Sequence, residues 1–163
     1  MKGKAMSALS LLTLISAVGC GLVAGFFFAF SVCVMGALGT IPPAQGIAAM
    51  QSINRVVINA WFFLAFFGTA LACVVAVVAA FARWDDGRAL YWLAAGILYL
   101  AGTILVTMRL NVPLNNALAA LGAASPEAAK LWVHYLSRWT MWNHVRMGAA
   151  LISAVLFTLA YDR

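Results

Sequence analysis

Four long apolar runs leave this chain little choice of fold: Ala5 to Leu38, Val56 to Ala82, Ala89 to Met108 and Thr140 to Tyr161. The first three carry no charge, and the fourth carries only His144 and Arg146. A helix needs about 20 apolar residues to cross the hydrocarbon of a bilayer. Each run is long enough, and a soluble domain has no use for four of them. Composition agrees, since 66% of the 163 residues are hydrophobic and 9% are charged, against roughly a quarter charged in soluble domains. The sequence therefore predicts an all-α, four-helix integral membrane bundle forming one domain over residues 1–163. The spans fall at about 6–38, 56–82, 89–109 and 140–161.

The charges are too dispersed to suit nucleic acid. Ten basic residues give a net charge of +6 without forming a run, so they bear on topology instead. Lys2 and Lys4 precede an apolar stretch that continues through Cys20 to Leu38, which predicts an uncleaved first span rather than a removed leader. Arg83, Arg88 and Arg163 fall on the same side as the N-terminus, and Arg55, Arg109, Lys130, Arg138 and Arg146 on the other. The raw count is tied. If Arg55, Arg109 and Arg146 are embedded, the exposed count becomes five against two. That places both termini in the cytoplasm, as in a multi-pass protein of a bacterial inner membrane. Cys20, Cys33 and Cys73 all lie in spans without CxxC spacing, so they read as packing residues.

Helix 1 contains Gly21 and Gly25, a small-xxx-small pattern that permits close helix contact in lipid. Helix 2 reads as continuous from Pro43 to Ala82, about 57 Å at 1.5 Å per residue. Its first third must leave the hydrocarbon. Helix 3 ends near Arg109 in a polar connection containing Pro113. Ser125, Pro126 and Glu127 have the order of an N-cap, a first helical proline and a first-turn acid, and helix 4 then runs to about Ala160. Helices 2 and 4 thus extend beyond the bilayer on one side.

The unusual polar residues gather on that side. Gln51, Asn54, Arg55 and Asn59 enter helix 2, Arg109, Asn111 and Asn115 leave helix 3, and Asn143, His144 and Arg146 enter the membrane part of helix 4. With 3.6 residues per turn, Trp132, Trp139, Asn143 and Arg146 lie within about 60° of one another, flanked by Tyr135 and Trp142. His144 points about 160° away from Arg146. An aromatic wall leading to an amide and a guanidinium, facing Asn54, Arg55, Asn59, Phe62 and Phe66, outlines a pocket. The arginines have no nearby carboxylate except the distant Glu127. Backbone carbonyls, asparagine oxygens, lipid phosphate or an anionic, enolate-like ligand would have to satisfy them.

Plainer readings compete. Trp132 and Tyr135 read also as an interfacial aromatic belt, Lys130 and Arg138 as contacts to lipid headgroups, Arg109 as a snorkelling side chain, and Asn143 with Arg146 as an interhelical network. Two histidines ten residues apart make no metal site, and no nucleotide-binding motif is present, so no metal or other cofactor is expected. The spans carry no carboxylate of the kind a proton-coupled carrier uses.

Met50-Gln51-Ser52-Ile53-Asn54, Asn111-Val112-Pro113-Leu114-Asn115 and Trp139…Asn143-His144-Val145-Arg146 resemble the DUF1772 family of anthrone oxygenase-like membrane proteins. Order, spacing and the four-span layout agree along nearly the whole chain. The resemblance implies cofactor-independent oxidation of an anthrone-like hydroxyaromatic, in which the deprotonated substrate gives its electrons directly to dioxygen. It implies binding and anion stabilisation by Arg146, Asn143, Asn54, Asn111 and the Trp residues, with His144 as the base. Together with the convergent polar residues this gives His144 and Arg146 as candidate catalytic residues and Asn54, Arg55, Asn59, Arg109, Asn111, Asn115, Trp139, Trp142 and Asn143 as candidate substrate-binding residues. The alternative is a non-enzymatic membrane protein that binds lipid or partner subunits, a second copy of itself included, through the cationic aromatic face. A small-molecule permease is a third reading, disfavoured by the uncharged middles of helices 1 and 3.

Overall fold

The computed structural model describes residues 6–162, so Lys2, Lys4 and Arg163 lie outside it. Five helices account for nearly all of those residues, and no strand occurs among them. They are α1 (Ala8–Thr40), α2 (Pro43–Val56), α3 (Ala60–Ala82), α4 (Ala89–Ala119) and α5 (Pro126–Tyr161). α1, α3, α4 and α5 are each long and apolar enough to cross a membrane, and they form the predicted four-helix bundle. α1 packs against α3 and α5, and α4 against α3 and α5, so each spanning helix lies beside two antiparallel neighbours. The first and last described residues sit at one end of the bundle, where the Tyr161 hydroxyl reaches the Met6 sulfur at 3.7 Å. The outward residues remain apolar, among them Leu22, Leu64, Leu71, Val78, Phe81 and Leu151, as a lipid-facing surface requires.

Helix 2 is not continuous. The chain breaks between Val56 and Ala60, where Asn59 is extended (φ −139°, ψ 164°) and its side-chain oxygen accepts from the Phe62 N–H at 3.0 Å. Asparagine competes well for such N-cap positions, and here its own amide also donates to the Val56 carbonyl at 2.9 Å. The extension beyond the bilayer is therefore a separate helix, α2, lying over the end of the bundle. Gly46 lets it approach, because a side chain there would meet the Leu38 carbonyl at 2.7 Å and the Trp132 ring at 3.0 Å. α4 departs from expectation in the opposite sense. The polar connection after Arg109 is helical to Ala119, reached through two widened turns at Leu100–Leu105 and Thr107–Asn111. Pro113 is tolerated because it stands in the first turn of the segment that follows. Ser125 caps α5 as predicted, its hydroxyl accepting from the Ala128 N–H at 3.1 Å.

The interior has two parts. The half nearer the termini packs Cys20, Phe27, Phe66, Cys73, Trp92, Tyr99 and Phe157 with many alanines. Helices approach closely there at Gly19, Gly96 and Gly102, while Gly21 and Gly25 face open space, so the small-xxx-small pair does not mediate a helix contact within the chain. The other half packs Met35, Leu38, Ile47, Met50 and Leu118 against Trp132, Tyr135 and Trp139 of α5.

Candidate functional site

The polar side chains of this second half lie on three spanning helices and meet around Arg146. Arg146 is 4% exposed. Phe27 of α1 lies 4.2 Å from it on one side, and Trp139, two turns back on α5, lies 4.9 Å away. Both rings offer their negative faces to the cation. One terminal nitrogen donates to Asn143 Oδ1 at 2.8 Å and the other to Thr107 Oγ1 at 3.3 Å. Among the described residues no carboxylate pairs with it, and its buried Nε–H has no partner. Of the five N–H donors of a guanidinium, two are engaged.

The partners of Arg146 are fixed by backbone that the widened turns distort. Near Phe30–Val34, α1 loosens so that the Met35 N–H reaches back to the Phe30 carbonyl. Asn143 donates to the Phe27 carbonyl at 2.7 Å and to Ser31 Oγ at 2.8 Å. In α4, the Val112 N–H reaches back to the Thr107 carbonyl, and Thr107 donates its own hydroxyl to the Thr103 carbonyl at 2.7 Å. The Thr107 oxygen is thus oriented to accept from Arg146. Thr103 in turn donates to the Arg146 carbonyl at 3.2 Å.

A second network stands above the first. Asn115 Oδ1 accepts from the Tyr135 hydroxyl at 2.7 Å and from Trp139 Nε1 at 2.8 Å. Asn54 donates weakly to the same hydroxyl at 3.4 Å, and Gln51 donates to the carbonyls of Leu118 and Leu121 at 2.8 and 3.0 Å. α2 is thereby tied to the end of α4 and to α5. Asn111 donates to the Trp139 carbonyl at 3.1 Å while its fully buried Oδ1 has no partner. Trp132, Tyr135 and Trp139 form a near-parallel ladder with centroids 5.5 and 6.1 Å apart.

Beneath α2, a cleft of about 580 Å³ opens between α1, α3 and α4. Phe27, Phe30, Phe62, Phe66 and Trp139 wall it, and Arg146 and Thr107 lie in its lining with Asn54 and Asn115. A flat, largely apolar molecule carrying one anionic or hydrogen-bonding edge fits that chemistry.

A sequence model of the anthrone oxygenase family matches residues 61–156. The chain belongs to the anthrone oxygenase family. The match takes in α3, α4 and most of α5, and so includes Thr107, Asn111, Asn115, Trp139, Asn143 and Arg146 of the cluster. It leaves out α1 and α2, which supply Phe27, Ser31, Gln51 and Asn54. No curated protein and no solved structure matches the chain.

Within this anthrone oxygenase-family chain, the residues nominated from sequence separate into groups. Arg146, Asn143, Asn111, Asn115, Asn54 and Trp139 come together. Arg55 borders the cleft but is exposed. Asn59 is the N-cap of α3. Arg109 is exposed on the outer face of α4, and Trp142 lies beside exposed Arg138 at 6.0 Å, away from the cleft. His144 is exposed on the far side of α5, as its helical phase predicted, so it does not meet Arg146 or the cleft. Trp132 and Tyr135 are buried rather than forming an interfacial belt. Only Arg146 of the three arginines is embedded, so the exposed charge difference across the membrane is smaller than five against two. Phe27, Ser31 and Thr107 are additions. Thr103 and Thr107, the only threonines of the third apolar run and one turn apart, were the legible signal.

Proposed function

We propose that the cleft binds a flat hydroxyaromatic as its enolate-type anion and promotes its oxidation by dioxygen, with an anthrone as the sharpest case. The observation that carries this reading is Arg146: a buried cation that lines the cleft, held between two aromatic faces, without a carboxylate and with its Nε–H unpaired. A guanidinium held out of water at such a cost is expected to have a counter-charge. The ligand's oxygen supplies it.

The chemistry then follows from charge. Binding next to the guanidinium favours the deprotonated hydroxyaromatic, whose proton leaves to water. In a low-dielectric cleft that stabilisation exceeds what water gives. The electron-rich carbon of the anion donates to dioxygen and forms a carbon–oxygen bond to a peroxide. The same carbon loses its second hydrogen as the O–O bond breaks. One oxygen remains as the new carbonyl, the other leaves in water, and the CH₂ of an anthrone becomes the C=O of an anthraquinone. Phe27, Phe62 and Trp139 would hold the ring plane, and Thr107 and Asn143 the guanidinium. Sequence reasoning nominated His144 as base; its place on the outer face gives it no part in this scheme.

The protein would work in the bacterial cell membrane with both termini cytoplasmic, an orientation supported by Lys2 and Lys4 ahead of the first span. Exposed Lys130, Arg138 and Arg109 would face lipid headgroups at the opposite surface. Oxygen uptake by the purified protein in lipid, with anthrone as substrate, tests the reading. Turnover in the wild type and its loss in Arg146→Met, with the helical content and melting behaviour retained, is the expected result. Unchanged turnover in that variant rules out the site.

A further inference from the structure

A second cleft, of about 530 Å³, lies between α1 and α3 on the lipid side of the first. Leu22 and Phe26 of α1 form one wall, Trp61, Phe62 and Ala65 of α3 the other, and Val56 at the end of α2 borders it. Leu22 and Trp61 are 62% and 82% exposed. Both belong to helices that cross the membrane, so the mouth of this cleft is apolar and faces lipid.

The two clefts share walls. Phe26, Phe30, Ile53, Val57 and Phe62 line both. What divides them is about one layer of side chains, centred on Phe26 and Phe62, whose ring centroids are 5.2 Å apart. Phe62 also stacks on Phe66 at 5.4 Å, which gives the Phe62 ring an inner resting place. Phenylalanine side chains hop between rotamers without breaking a hydrogen bond, so such a partition opens at low cost.

Exposed Arg55 and Asn116 give the Arg146 cleft a polar border on its water side. α2 covers the Arg146 cleft and is fastened by Gln51 to the end of α4. A flat hydroxyaromatic partitions into hydrocarbon, so it is concentrated where the α1–α3 cleft opens. The gap between α3 and α4, at Phe63 and Met108, also reaches the surface.

We infer that the α1–α3 cleft is a lateral vestibule through which a bilayer-dissolved flat hydroxyaromatic reaches Arg146, with the Phe26–Phe62 pair as its door. This rests on the reading of the Arg146 cleft given above. A door slows arrival and departure by the same factor and leaves equilibrium affinity alone, which separates it from a binding residue.

The test uses the full chain in phosphatidylcholine vesicles with a fluorescent hydroxyanthraquinone as probe, followed by stopped-flow. Leu22→Trp and, from the opposite wall, Ala65→Phe each narrow the vestibule. Both are expected to slow association and dissociation about tenfold while Kd stays within about threefold, since access rather than contact has changed. Leu71→Trp, on the lipid-facing side of α3 far from the cleft, should change nothing. Wild-type rates in both vestibule variants, or slowing in Met108→Trp instead, would overturn the vestibule while leaving the Arg146 site standing. Failure of the wild-type protein to bind the probe at all would overturn both.

Discussion

The two ends of the bundle solve the problem of polar groups in hydrocarbon differently. Near the termini, neutral donors meet neutral acceptors across helices. Trp92 Nε1 donates to Thr13 Oγ1 at 2.9 Å, Tyr99 to the Phe66 carbonyl at 3.1 Å, and Ser153 to the Ala95 carbonyl at 2.9 Å. Close-packed glycines and alanines fill the rest, and Ser16 Oγ alone is left over. At the other end a formal charge is buried, its only polar partners are neutral, and an amide oxygen and a guanidinium N–H are left without partners. The first end is built for cohesion. The second leaves polar atoms unpaired, as the proposed site would.

That contrast can be broken by substitution. The largest stability loss is expected for Asn143→Leu, which strands the Arg146 nitrogen and frees the Phe27 carbonyl and Ser31. Leaving a buried charge short of a partner costs about 2–4 kcal/mol. Chemical unfolding in detergent would measure it, and turnover should fall with it. Gly96→Ala at the other end comes next. The added methyl would meet Val77 at 2.6 Å and the Cys73 carbonyl at 2.9 Å, a strain of about 1–3 kcal/mol. The proposed turnover at the Arg146 cleft should survive in whatever fraction stays folded. Equal loss of specific activity in that folded fraction would mean that the two ends are not separate devices.

Smaller effects sharpen the picture. Tyr135→Phe removes the donor to Asn115 and should cost about 1 kcal/mol by thermal melting, with KM for the substrate rising more than kcat falls. Smallest is Asp86→Asn, in the turn between α3 and α4. The Arg88 guanidinium, 2.8 and 2.9 Å away, holds the Asp86 carboxyl down at about 2 and is itself raised by it. Because the folded value is depressed, the ion pair's contribution is present above the ordinary carboxylate pKa of about 3.9 and is lost as pH falls through about 2. For a pair near the surface that contribution is about 0.5–1 kcal/mol. The wild type and Asp86→Asn should therefore converge in stability at low pH. A difference that persists there would mean the ion pair is not its source.

Much of this was legible in sequence because hydropathy and helical phase are local. The four apolar runs required four spans, and a rotation of 100° per residue placed Trp139, Asn143 and Arg146 on the inner face of α5 and His144 on its outer face. What was not legible depended on partners. Asn59 could serve a site or a cap, and only the break before α3 decides for the cap. Arg109 and Arg146 have the same chemistry, yet one ends outside and the other between two rings, because Phe27 and Trp139 leave a slot at a single depth. The widened turns in α1 and α4 have no signature in residue type, and through them the helix positions near Ser31 and Thr107 turn toward Arg146. The helical continuation past Pro113 was hidden for a related reason: three asparagines read as a loop, until Asn111 finds the Trp139 carbonyl and Asn115 the Tyr135 hydroxyl across the bundle.

Arg146 is proposed to hold an anion, and a dye can report that directly. A hydroxyanthraquinone changes its absorbance on ionisation, so the pH midpoint of the bound dye can be followed directly in wild type and in Arg146→Met. Binding to the wild type should lower the dye's midpoint by one unit or more, about 1.4 kcal/mol per unit, and Arg146→Met should abolish the shift while the dye still binds. The same midpoint in both proteins would contradict it.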